Sequence, residues 1–572
     1  MRCRYFGLLY YSKMEARITE CIRKLYDISM DVAITRPNSQ FGDYASSAAL
    51  QLAGRLGKNP LEVAEEIAEN LRTTGDFSEV TIAGPGFINM RVSARSVAET
   101  LSDDWSEDYG TNSDGAGKTV VVEYPSPNMA KPYSVGHLRS GNQGWAVKRL
   151  MEATGWNVIT DNHLGDYGAP FGIWVVGFLS FGSDAALERD GVYELGRIYI
   201  EMRNALKQEK ERGEHALADD VQQWLLKLEQ GDEQATAYSK RFNEISLGHI
   251  HTVMQRLRIS TDHELGEAFF APRGKEAVQK LLNEAVAVKN DDGSIIVPLD
   301  EFGFKVPLLV QKSNGAALYA TTDLATILYR EREWAPDRVV YCVGAEQQFY
   351  FTQLFALAKK LGITTEMIHL WFGTIDQRND DGTREKMSSR KGVVLMEELL
   401  DKAEQKAREI VGDRELDDED VKRIALGAIK FSDFVADRRT NILFDWDSIF
   451  ALTGYSGPYV QYAAVRVNKI LRDIESPHAD TSGYDFEAEK NVILKLLDYP
   501  SVVVLAAREL EPHKVASYLY ELAREMNRYY ETTRIADTGD VEKTARLDLL
   551  TKTAHVFDHG LSLLGIEVPS RM

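Results

Sequence analysis

Residues 118–123 of this 572-residue chain, KTVVVE, form a short apolar run that passes into a polar loop and then into a helix beginning near Gly136. Further apolar runs follow at 157–160, 338–343 and 369–372, and helical segments separate them. Strands that alternate with helices pair in parallel, because each helix returns the chain to the starting edge of the sheet. The pattern predicts a doubly wound α/β domain over residues 118–400.

A charged helical stretch at about 180–290 interrupts this α/β pattern. It contains runs such as LKQEKERGEHALADDVQQWLLKLEQ, in which charged residues are frequent. Charges of this kind are typical of a solvated helix face rather than of a binding surface. We therefore expect a helical insertion that packs outside the sheet.

The segment before the α/β domain, residues 14–115, has a mixed character. Helical periodicity runs through 14–29 and 60–72. The stretches 80–82 and 87–92 have the composition of short strands, and the turn sequence AGPG joins them. We expect a small α+β module here.

The chain after about residue 400 is almost wholly helical. We interpret 401–452 as a helical connector and 453–572 as a helical bundle, with long amphipathic helices at 509–530 and 541–564. A chain of this length is too long for one hydrophobic core, so a division into several domains is expected.

Residues 1–13 precede the first clean amphipathic pattern, which begins at Met14. They lack the long apolar region and the small-residue cleavage site of a signal peptide. We interpret them as an extension upstream of the natural start, a hypothesis that N-terminal mass spectrometry of the native protein would test.

Composition limits the compartments and the partners. Cys3, Cys21 and Cys342 have no paired spacing, which argues against a disulfide framework and against a zinc or other metal site, and which indicates the reducing cytoplasm. No stretch approaches the roughly 20 apolar residues that span a bilayer. The net charge of −20 argues against nucleic-acid binding unless cations are concentrated on one face.

Four residues around the start of the first helix of the α/β domain could bind phosphate: Lys131, Ser134, Gly136 and His137. A strand, a loop and a helix N-terminus form the arrangement with which parallel sheets bind phosphates. His137 could donate a hydrogen bond, and Gly136 would let a ligand approach the backbone. Taken alone, the Gly-His pair is better explained as a helix-capping turn.

A second cluster, REKMSSRKG at 384–392, carries four cations in eight residues. The ordinary interpretation is a solvated basic loop. Cations on such a loop could also neutralise the charge that builds on a departing phosphate group.

A third set consists of polar and aromatic side chains near the predicted strand ends. Its members are Glu123, Ser126, Asn128, His163, Tyr319, Asp323 and Gln347. Tyr319 and Asp323 are four residues apart, so they share one face if their segment is helical. Taken singly, each residue is explained as structural, for example Asp323 as a helix cap.

Two further groups could contact unpaired bases. Tyr459, Tyr462 and Arg466 are spaced three and four apart and share a helix face. Exposed aromatic rings beside an arginine can stack on bases, although the spacing alone favours a core role. Phe87 and Asn89 in the N-terminal module could contact a loop base, but Phe87 could equally belong to the core.

The segment S-P-N-x-A-K-P-x-x-V-G-H-L-R-S, which begins at Ser126, resembles the arginyl-tRNA synthetase version of the first class I synthetase signature. The basic loop at 384–392 resembles the second signature, Lys-Met-Ser-Lys-Ser. The ending GIEVPSRM is also typical of this family. The resemblance covers 14–572 and is strongest at 120–172, 315–350, 384–400 and 453–572.

The resemblance implies a Rossmann-type parallel-sheet catalytic domain with a helical insertion, an N-terminal α+β module that reads the tRNA D-loop, and a C-terminal α-helical anticodon-binding bundle. It implies an enzyme of protein biosynthesis that uses ATP to activate L-arginine as arginyl-adenylate and transfers it to the 3′-terminal adenosine of arginine tRNA. ATP would enter with Mg²⁺ as a substrate complex, and no prosthetic group, zinc or membrane is implied. We expect a cytoplasmic monomer whose adenylation step needs bound tRNA.

The resemblance also implies roles for individual residues. The catalytic positions are Lys131, Ser134, Gly136, His137, Lys386, Ser388, Ser389 and Lys391. In the arginine pocket, Tyr319 and Asp323 would hold the guanidinium, Glu123, Ser126, Asn128 and Gln347 would fix the α-ammonium end, and His163 would form the wall. The tRNA-contacting positions are Phe87, Asn89, Tyr459, Tyr462, Arg466, Tyr530 and Met572.

Two positions depart from the family signatures. Ser134 replaces the first histidine of the usual His-x-Gly-His, and Ser389 replaces the second lysine of the basic loop. Lys131 stands where family members with an altered loop carry a compensating lysine. We therefore expect Lys131 to supply the missing charge.

Two alternatives remain open at this point. A catalytically impaired, synthetase-like tRNA-binding protein would explain Ser134 and Ser389. An adenylate-forming ligase that uses no tRNA would explain the nucleotide site alone. The complete set of arginine-pocket residues argues against the first alternative, and the anticodon-like helices argue against the second.

Overall fold

The computed structural model describes most of the chain in three regions: an N-terminal module, a central α/β domain with an insertion, and a C-terminal helical region. The described residues are 9–38, 40–93, 96–97, 106, 108–129, 131–313, 318–378, 382–387, 394–412, 416–474, 486–535 and 538–572.

The N-terminal module packs helices on a four-stranded sheet with antiparallel neighbours in the order β1-β2-β4-β3. Its elements are α1 (Leu9–Tyr26), β1 (Ile34–Thr35), β2 (Tyr44–Ser46), α2 (Ala48–Leu56), α3 (Pro60–Arg72), β3 (Phe77–Ala83) and β4 (Phe87–Val92). Helix α3 begins where predicted, because the Asn59 side chain caps it and Pro60 fits the first turn. Helix α1 begins upstream of Met14, whose side chain is fully buried in the core.

The central domain contains the predicted parallel sheet and the predicted helical insertion. Its elements are β5 (Thr119–Glu123), α4 (Leu138–Ala153), β6 (Asn157–Asp161), α5 (Ala169–Phe181), α6 (Asp184–Asp190), α7 (Val192–Arg212), α8 (Ala216–Glu229), α9 (Glu233–Arg256), α10 (Glu267–Asn283), β7 (Val288–Lys289), β8 (Ile295–Val297), β9 (Leu308–Gln311), α11 (Tyr319–Glu333), β10 (Arg338–Tyr341), α12 (Gln348–Lys360) and β11 (Glu366–His369).

The four parallel strands lie in the order β11-β10-β5-β6. Strand β5 is central because its three valines, Val120, Val121 and Val122, are completely buried between the layers on both faces of the sheet. From β5 the chain passes to β6 on one side, and from β10 it passes to β11 on the other. The sheet therefore changes winding direction between β5 and β10.

The strand predicted at 369–372 was placed too late. Strand β11 ends where His369 pairs with Tyr341, and the chain then leaves the sheet. Leu370 and Phe372 are apolar because both are buried beyond the strand end, not because they continue the strand.

The sequence did not predict the small antiparallel sheet β7-β8-β9, whose strands are two to four residues long. Runs this short contain too few alternations for a period of two to be recognised. The sheet packs its inner face, including Val297 and Val310, against helices α10 and α11.

The C-terminal region is mainly helical, with a three-stranded sheet at its start in the order β13-β12-β14. Its elements are β12 (Ile375–Arg378), β13 (Arg384–Lys386), α13 (Met396–Val411), α14 (Asp418–Ser432), β14 (Ile442–Leu443), α15 (Trp446–Ile449), α16 (Gly457–Asp473), α17 (Phe486–Glu509), α18 (His513–Thr532) and α19 (Asp540–Leu563).

The long helix predicted at 509–530 begins later than expected. Helix α17 ends at Glu509, Leu510 adopts a left-handed φ of 53°, and α18 begins at His513 after Pro512. A leucine in that conformation gives no sequence signal for a helix break, since the left-handed region favours glycine or asparagine.

The N-terminal module and the C-terminal bundle share one apolar core, which also includes one face of α4. Buried polar contacts cross the boundaries between the regions. Arg36 donates to the Leu494 carbonyl at 2.8 Å, and Arg139 on α4 forms a buried ion pair with Asp433 at 2.7 Å. The helix that follows the first signature is therefore fixed directly to the C-terminal region.

Among the described residues, no single helix is both long enough and apolar enough to cross a membrane. The bent pair Pro170–Phe181 and Asp184–Asp190, with an angle of 116° between them, meets that criterion on length and composition only.

Candidate active site

A cavity of about 780 Å³ opens at the carboxyl ends of β5 and β10. This is where the winding direction of the sheet changes, and ligands of doubly wound folds bind in the crevice at that point. The predicted residues that line the cavity are Glu123, Ser126, Asn128, Ser134, Gly136, His137, His163, Tyr319, Asp323, Gln347 and Lys386.

One end of the cavity is acidic. Asp323, on the first turns of α11, accepts a hydrogen bond from the Tyr350 hydroxyl. His163 Nε2 lies 3.7 Å from Asp323 Oδ1. Tyr319, one helical turn before Asp323, is 70% exposed and covers the same side of the cavity. The helical spacing predicted for Tyr319 and Asp323 is therefore present, and both side chains face one cavity.

Glu267, the first residue of α10, adds a second carboxyl group that the sequence did not single out. Burial, together with the nearby charges of Asp323 and Asp166, raises the pKa of Glu267 to about 8. Burial also raises the pKa of Asp323, against the opposing effect of His163. Two half-buried carboxyl groups whose pKa values are raised form a site whose charge a bound cation would balance.

Several polar atoms near this acidic end have no hydrogen-bond partner among the described residues. They are Ser126 Oγ and both ring nitrogens of His163. Ser126 also has a left-handed φ of 52°, a strained conformation for a non-glycine residue, which its N–H stabilises by donating to Asn162 Oδ1 at 3.1 Å. Buried polar atoms without partners at a strained turn are typical of a site that a ligand completes.

Asn128 and Gln347 are exposed at the mouth of the cavity. The backbone of Asn128 bridges to Gly165, where an added Cβ would lie 2.3 Å from Asn128 Oδ1. A side chain at 165 would therefore displace the Asn128 amide from its position here. Gln347 ends the short 3-10 helix Ala345–Gln347 that follows β10.

Glu123 has a protein partner that the sequence did not predict. Its Oε2 accepts a hydrogen bond from Arg330 Nη2 at 2.7 Å, and the same nitrogen donates to Asp161 at 2.7 Å. All three side chains are buried. Glu123 therefore lines the cavity, but its charge is already paired with that of Arg330. Asp323 and Glu267 have no such arginine partner among the described residues.

The short 3-10 helix Val135–His137 and the start of α4 form another part of the cavity lining. His137 Nδ1 lies 3.3 Å from the Ser134 backbone nitrogen, whose N–H donates to it. Burial, together with the charge of Lys131, lowers the pKa of His137 to about 4. The ring is therefore neutral near pH 7, with its proton on Nε2, where it can serve as a hydrogen-bond donor.

The basic loop begins at the cavity, and the chain that follows the loop contacts the first signature. Lys386, at the end of β13, lines the cavity, whereas Ser388, Ser389 and Lys391 lie outside the described residues. The chain is described again from 394, where the Val135 N–H donates to the Val394 carbonyl at 3.1 Å. The segment that follows the basic loop is thus joined to the first signature by a backbone hydrogen bond.

Lys131 is not among the residues that line the cavity. Its ammonium lies 4.8 Å from the centre of the Tyr199 ring, on helix α7 of the insertion. Desolvation and the nearby Arg203 lower the pKa of Lys131. To reach the cavity, the side chain would have to leave this ring.

Three of the predicted tRNA-contacting residues meet at the contact between α16 and α18. The Arg466 guanidinium lies 4.4 Å from the centre of the Tyr530 ring, and Tyr459 Oη accepts from Asn527 Nδ2 at 3.0 Å. Tyr462 is half-buried on the same helix as Arg466, which is exposed. The side chain of Met572 packs against the apolar cluster that includes Met396 and Leu399, away from this group.

The two predicted contacts in the N-terminal module differ in exposure. Phe87, at the start of β4, is 42% exposed, whereas Asn89 is 7% exposed in the middle of the sheet. Asn89 is opposite Ala45 on one side and Thr81 on the other. Of these two residues, Phe87 is the one whose side chain is accessible to a binding partner.

Outside the cavity, and within the described part of the chain, Asp437, Glu511 and His513 form a group that could hold a metal ion. Their ligand atoms lie within 4.8 Å of one another. Arg439 already binds both carboxylates, at 2.7 Å from Asp437 Oδ1 and 2.8 Å from Glu511 Oε1. The group is therefore neutralised by protein cations and lies outside the cavity.

Three family models match the chain. The model described as "Arginyl tRNA synthetase N terminal domain" matches residues 12–92. The model described as "tRNA synthetases class I (R), catalytic domain" matches 97–446, and the one described as "DALR anticodon binding domain" matches 460–572.

Similar full-length proteins include an arginine–tRNA ligase of Bacillus cereus, 34% identical over 95% of this chain and 96% of its own length. Another is the arginine–tRNA ligase of Fusobacterium nucleatum, 31% identical over 94% of both chains. Among solved structures, the arginyl-tRNA synthetase of Thermus thermophilus superposes with a TM-score of 0.81 at 24% identity, over 98% of this chain and 100% of that one. At that identity the superposition establishes the fold.

Proposed function

The chain belongs to the arginyl-tRNA synthetase family and is an arginine–tRNA ligase of class I, and we propose that the cavity between β5 and β10 is where it joins L-arginine to ATP. The arginyl group would then pass to the 3′-terminal adenosine of arginine tRNA. The observation that carries the proposal is the acidic end of the cavity, where Asp323 and Glu267 are half-buried and where, among the described residues, neither carboxyl group is paired with a lysine or an arginine. The His163 ring lies 3.7 Å from the Asp323 carboxyl group.

The guanidinium of arginine fits this acidic end. It is planar and permanently charged, and it makes paired hydrogen bonds to carboxylates. Asp323 and Glu267 supply the charge, and the exposed Tyr319 ring covers the cavity on the same side. A neutral side chain of the same shape would leave both carboxyl groups without a cation, so the site should reject it by about 10⁴-fold.

The α-ammonium end of arginine would lie towards the strand ends, where the available acceptors are Ser126 Oγ, the Asn128 and Gln347 amides and Glu123. Glu123 would act with its charge shared with Arg330, since that ion pair is buried. Glu123 would therefore orient the α-ammonium group more than neutralise its charge.

Adenylation then requires the arginine carboxylate to attack the α-phosphorus of ATP and pyrophosphate to leave. We propose no covalent bond to the protein, so the rate depends on alignment and on stabilisation of charge. The His137 Nε2–H donor and the Lys386 ammonium lie at the end of the cavity where the triphosphate would fit. ATP would enter as its magnesium complex, so the ion belongs to the substrate.

The anticodon loop of tRNA would bind the Tyr459, Tyr462, Arg466 and Tyr530 group, whose rings and guanidinium can stack on unpaired bases. Phe87 would contact the D-loop from the N-terminal module. We further infer a cytoplasmic monomer, in keeping with two buried free cysteines, Cys21 and Cys342.

Arginine binding should depend on pH because of Glu267. Its carboxyl group keeps its proton below about pH 8 in the free protein, and a bound guanidinium favours the ionised form. Binding therefore releases a proton, and the Kd for arginine should rise by up to about tenfold for each unit that the pH falls below 8, then level off above 8. Calorimetry between pH 6 and 9 measures this slope.

The matched variants for this test are Glu267→Gln and Glu276→Gln, since both residues lie on α10 and Glu276 is exposed. Glu267→Gln should flatten the pH dependence, and Glu276→Gln should leave it unchanged. An unchanged slope in Glu267→Gln would show that another group controls the binding.

Lys131→Ala should reduce arginine-dependent adenylation by about 10- to 100-fold, because Ser389 leaves the basic loop one cation short and we expect Lys131 to leave the Tyr199 ring and supply that charge. Steady-state adenylation rates measure the effect. Lys207→Ala is the control, because Lys207 is an exposed lysine on α7, the helix that carries Tyr199. Near-normal activity of Lys131→Ala would mean that Lys131 stays on the Tyr199 ring and plays no part in the reaction.

An aminoacylation assay tests the proposed function itself. The purified protein should charge arginine tRNA with arginine in the presence of magnesium and ATP. Tight tRNA binding without charging would instead favour the catalytically impaired alternative.

A further inference from the structure

A histidine from the helical insertion contacts the loop that carries the first signature. The backbone N–H of Tyr133 donates to Nε2 of His249, on helix α9, at 3.0 Å. Tyr133 is 1% exposed, and its ring lies 5.0 Å from the ring of His137. The loop immediately before the phosphate-facing turn is therefore held by a side chain that is 116 residues away in sequence.

The other nitrogen of His249 faces a carboxylate. Nδ1 lies 3.7 Å from Glu397 Oε2, and the Tyr193 hydroxyl donates to the same oxygen. Because Nε2 accepts the Tyr133 N–H, the proton of the neutral ring must be on Nδ1, next to Glu397. Burial lowers the pKa of His249 against the opposing charge of Glu397, which favours this neutral form.

The same residues lie at the end of the second signature loop. Glu397 belongs to the first turn of α13, which follows that loop. The Met396 N–H donates to the Tyr133 carbonyl at 2.9 Å, and Ser134 forms an antiparallel bridge with Leu395. The backbone of Tyr133 is thus bound at its N–H by His249 and at its carbonyl by the segment that follows the basic loop.

We propose that His249 is a positioning residue for adenylation, which fixes Tyr133 so that the turn carrying Ser134, Gly136 and His137 is aligned for the triphosphate of ATP. Glu397 assists by selecting the tautomer in which Nε2 is an acceptor. The inference rests on the proposed function of the cavity as an ATP site. It adds a residue of the insertion that acts on neither substrate directly but through the backbone N–H of Tyr133.

Two variants with the same amide group separate this role from simple packing. In His249→Gln, the amide oxygen can occupy the position of Nε2 and accept the Tyr133 N–H. In His249→Asn, the shorter amide reaches only the position of Nδ1, near Glu397, and that hydrogen bond is lost. Both variants remove the imidazole ring. A difference between them therefore reports the loss of the hydrogen-bond acceptor rather than the loss of ring packing.

We expect His249→Asn to raise the KM for ATP roughly tenfold with a much smaller change in kcat, and His249→Gln to stay within about twofold of the wild type. A structural role would instead lower kcat and the thermal midpoint equally in the two variants, with KM unchanged. Equal KM values for His249→Gln and His249→Asn would overturn the proposal.

Hydrogen exchange of the peptide that contains the Tyr133 amide is a readout that does not need catalysis. Exchange should be slow in the wild type and in His249→Gln, and roughly tenfold faster in His249→Asn. Fast exchange in the wild type would overturn the inference even if neither variant folded. Slow wild-type exchange in a protein that shows no ATP-dependent activity would contradict the proposed function of the cavity while leaving the contact itself intact.

Discussion

Asp323→Asn should raise the KM for arginine by roughly 10²- to 10³-fold, because the substitution leaves a buried guanidinium without one of its two anions. Asparagine has the shape of aspartate and can still accept from the Tyr350 hydroxyl, so the cavity should keep its form. Steady-state kinetics with varied arginine, at saturating ATP and tRNA, measure the effect. The expected loss corresponds to about 3–4 kcal/mol of binding free energy.

Two comparisons make this result specific. Glu333→Gln changes a carboxylate to an amide at an exposed position on the same helix and should leave the KM unchanged. Citrulline, the neutral analogue of arginine, should be rejected far less strongly by Asp323→Asn than by the wild type, because the variant no longer holds an unpaired charge against it. A KM within about threefold of the wild type would show that Asp323 does not bind the guanidinium.

His137→Asn should lower kcat for adenylation by roughly 10²- to 10³-fold, the loss expected when one donor to a developing charge is removed. The asparagine oxygen can take the place of Nδ1 and accept the Ser134 N–H, so the turn should remain capped. The donor at Nε2, however, has no equivalent in the shorter side chain. The KM for arginine should change little, since His137 precedes α4 whereas Asp323, the proposed guanidinium partner, is on α11.

The pH dependence of kcat provides a second check on His137. Because its pKa is lowered to about 4, the ring stays neutral across the working range and should contribute no ionisation near pH 6.5. A loss of activity as the pH falls through 6.5, absent in His137→Asn, would mean that the ring is charged on part of that range. A kcat within about threefold of the wild type would remove His137 from the mechanism.

The sequence was sufficient for the parallel sheet because its strands carry consecutive β-branched residues. Val120, Val121 and Val122 are apolar on both faces, which indicates a strand covered by helices on both sides. Tyr319 and Asp323 were assigned to one face because a helical spacing of four is independent of the rest of the fold. Where periodicity decided the element, prediction and structure agree on the type of element, although the helix predicted at 509–530 begins later.

The features of the site that the sequence did not predict depend on contacts between segments that are distant in sequence. Glu267 lies 56 residues before Asp323 in the sequence. Its local sequence, LGEAFF, does not indicate that the charge of Asp323 acts on it in the folded protein. The pairing of Glu123 with Arg330 spans 207 residues. Family resemblance supplied the names of the pocket residues, but not which of them carry a free charge.

The charge balance explains how a chain with a net charge of −20 can bind RNA. The exposed cations Arg466, Arg524 and Arg528 lie on helices α16 and α18, beside Tyr459 and Tyr530. Local concentration of arginine and aromatic rings matters more for contact with bases than the total charge does. This surface therefore has the local concentration of cations under which a negative net charge does not argue against a nucleic-acid partner.

Arginine-dependent ATP–pyrophosphate exchange, with and without arginine tRNA, tests the central claim most directly. We predict exchange that requires arginine, is not supported by citrulline and appears only when arginine tRNA is present. Exchange without any tRNA would point to a ligase that does not need it. No exchange at all, despite tight binding of tRNA, would contradict the assignment of the cavity between β5 and β10 as a working site of arginine activation.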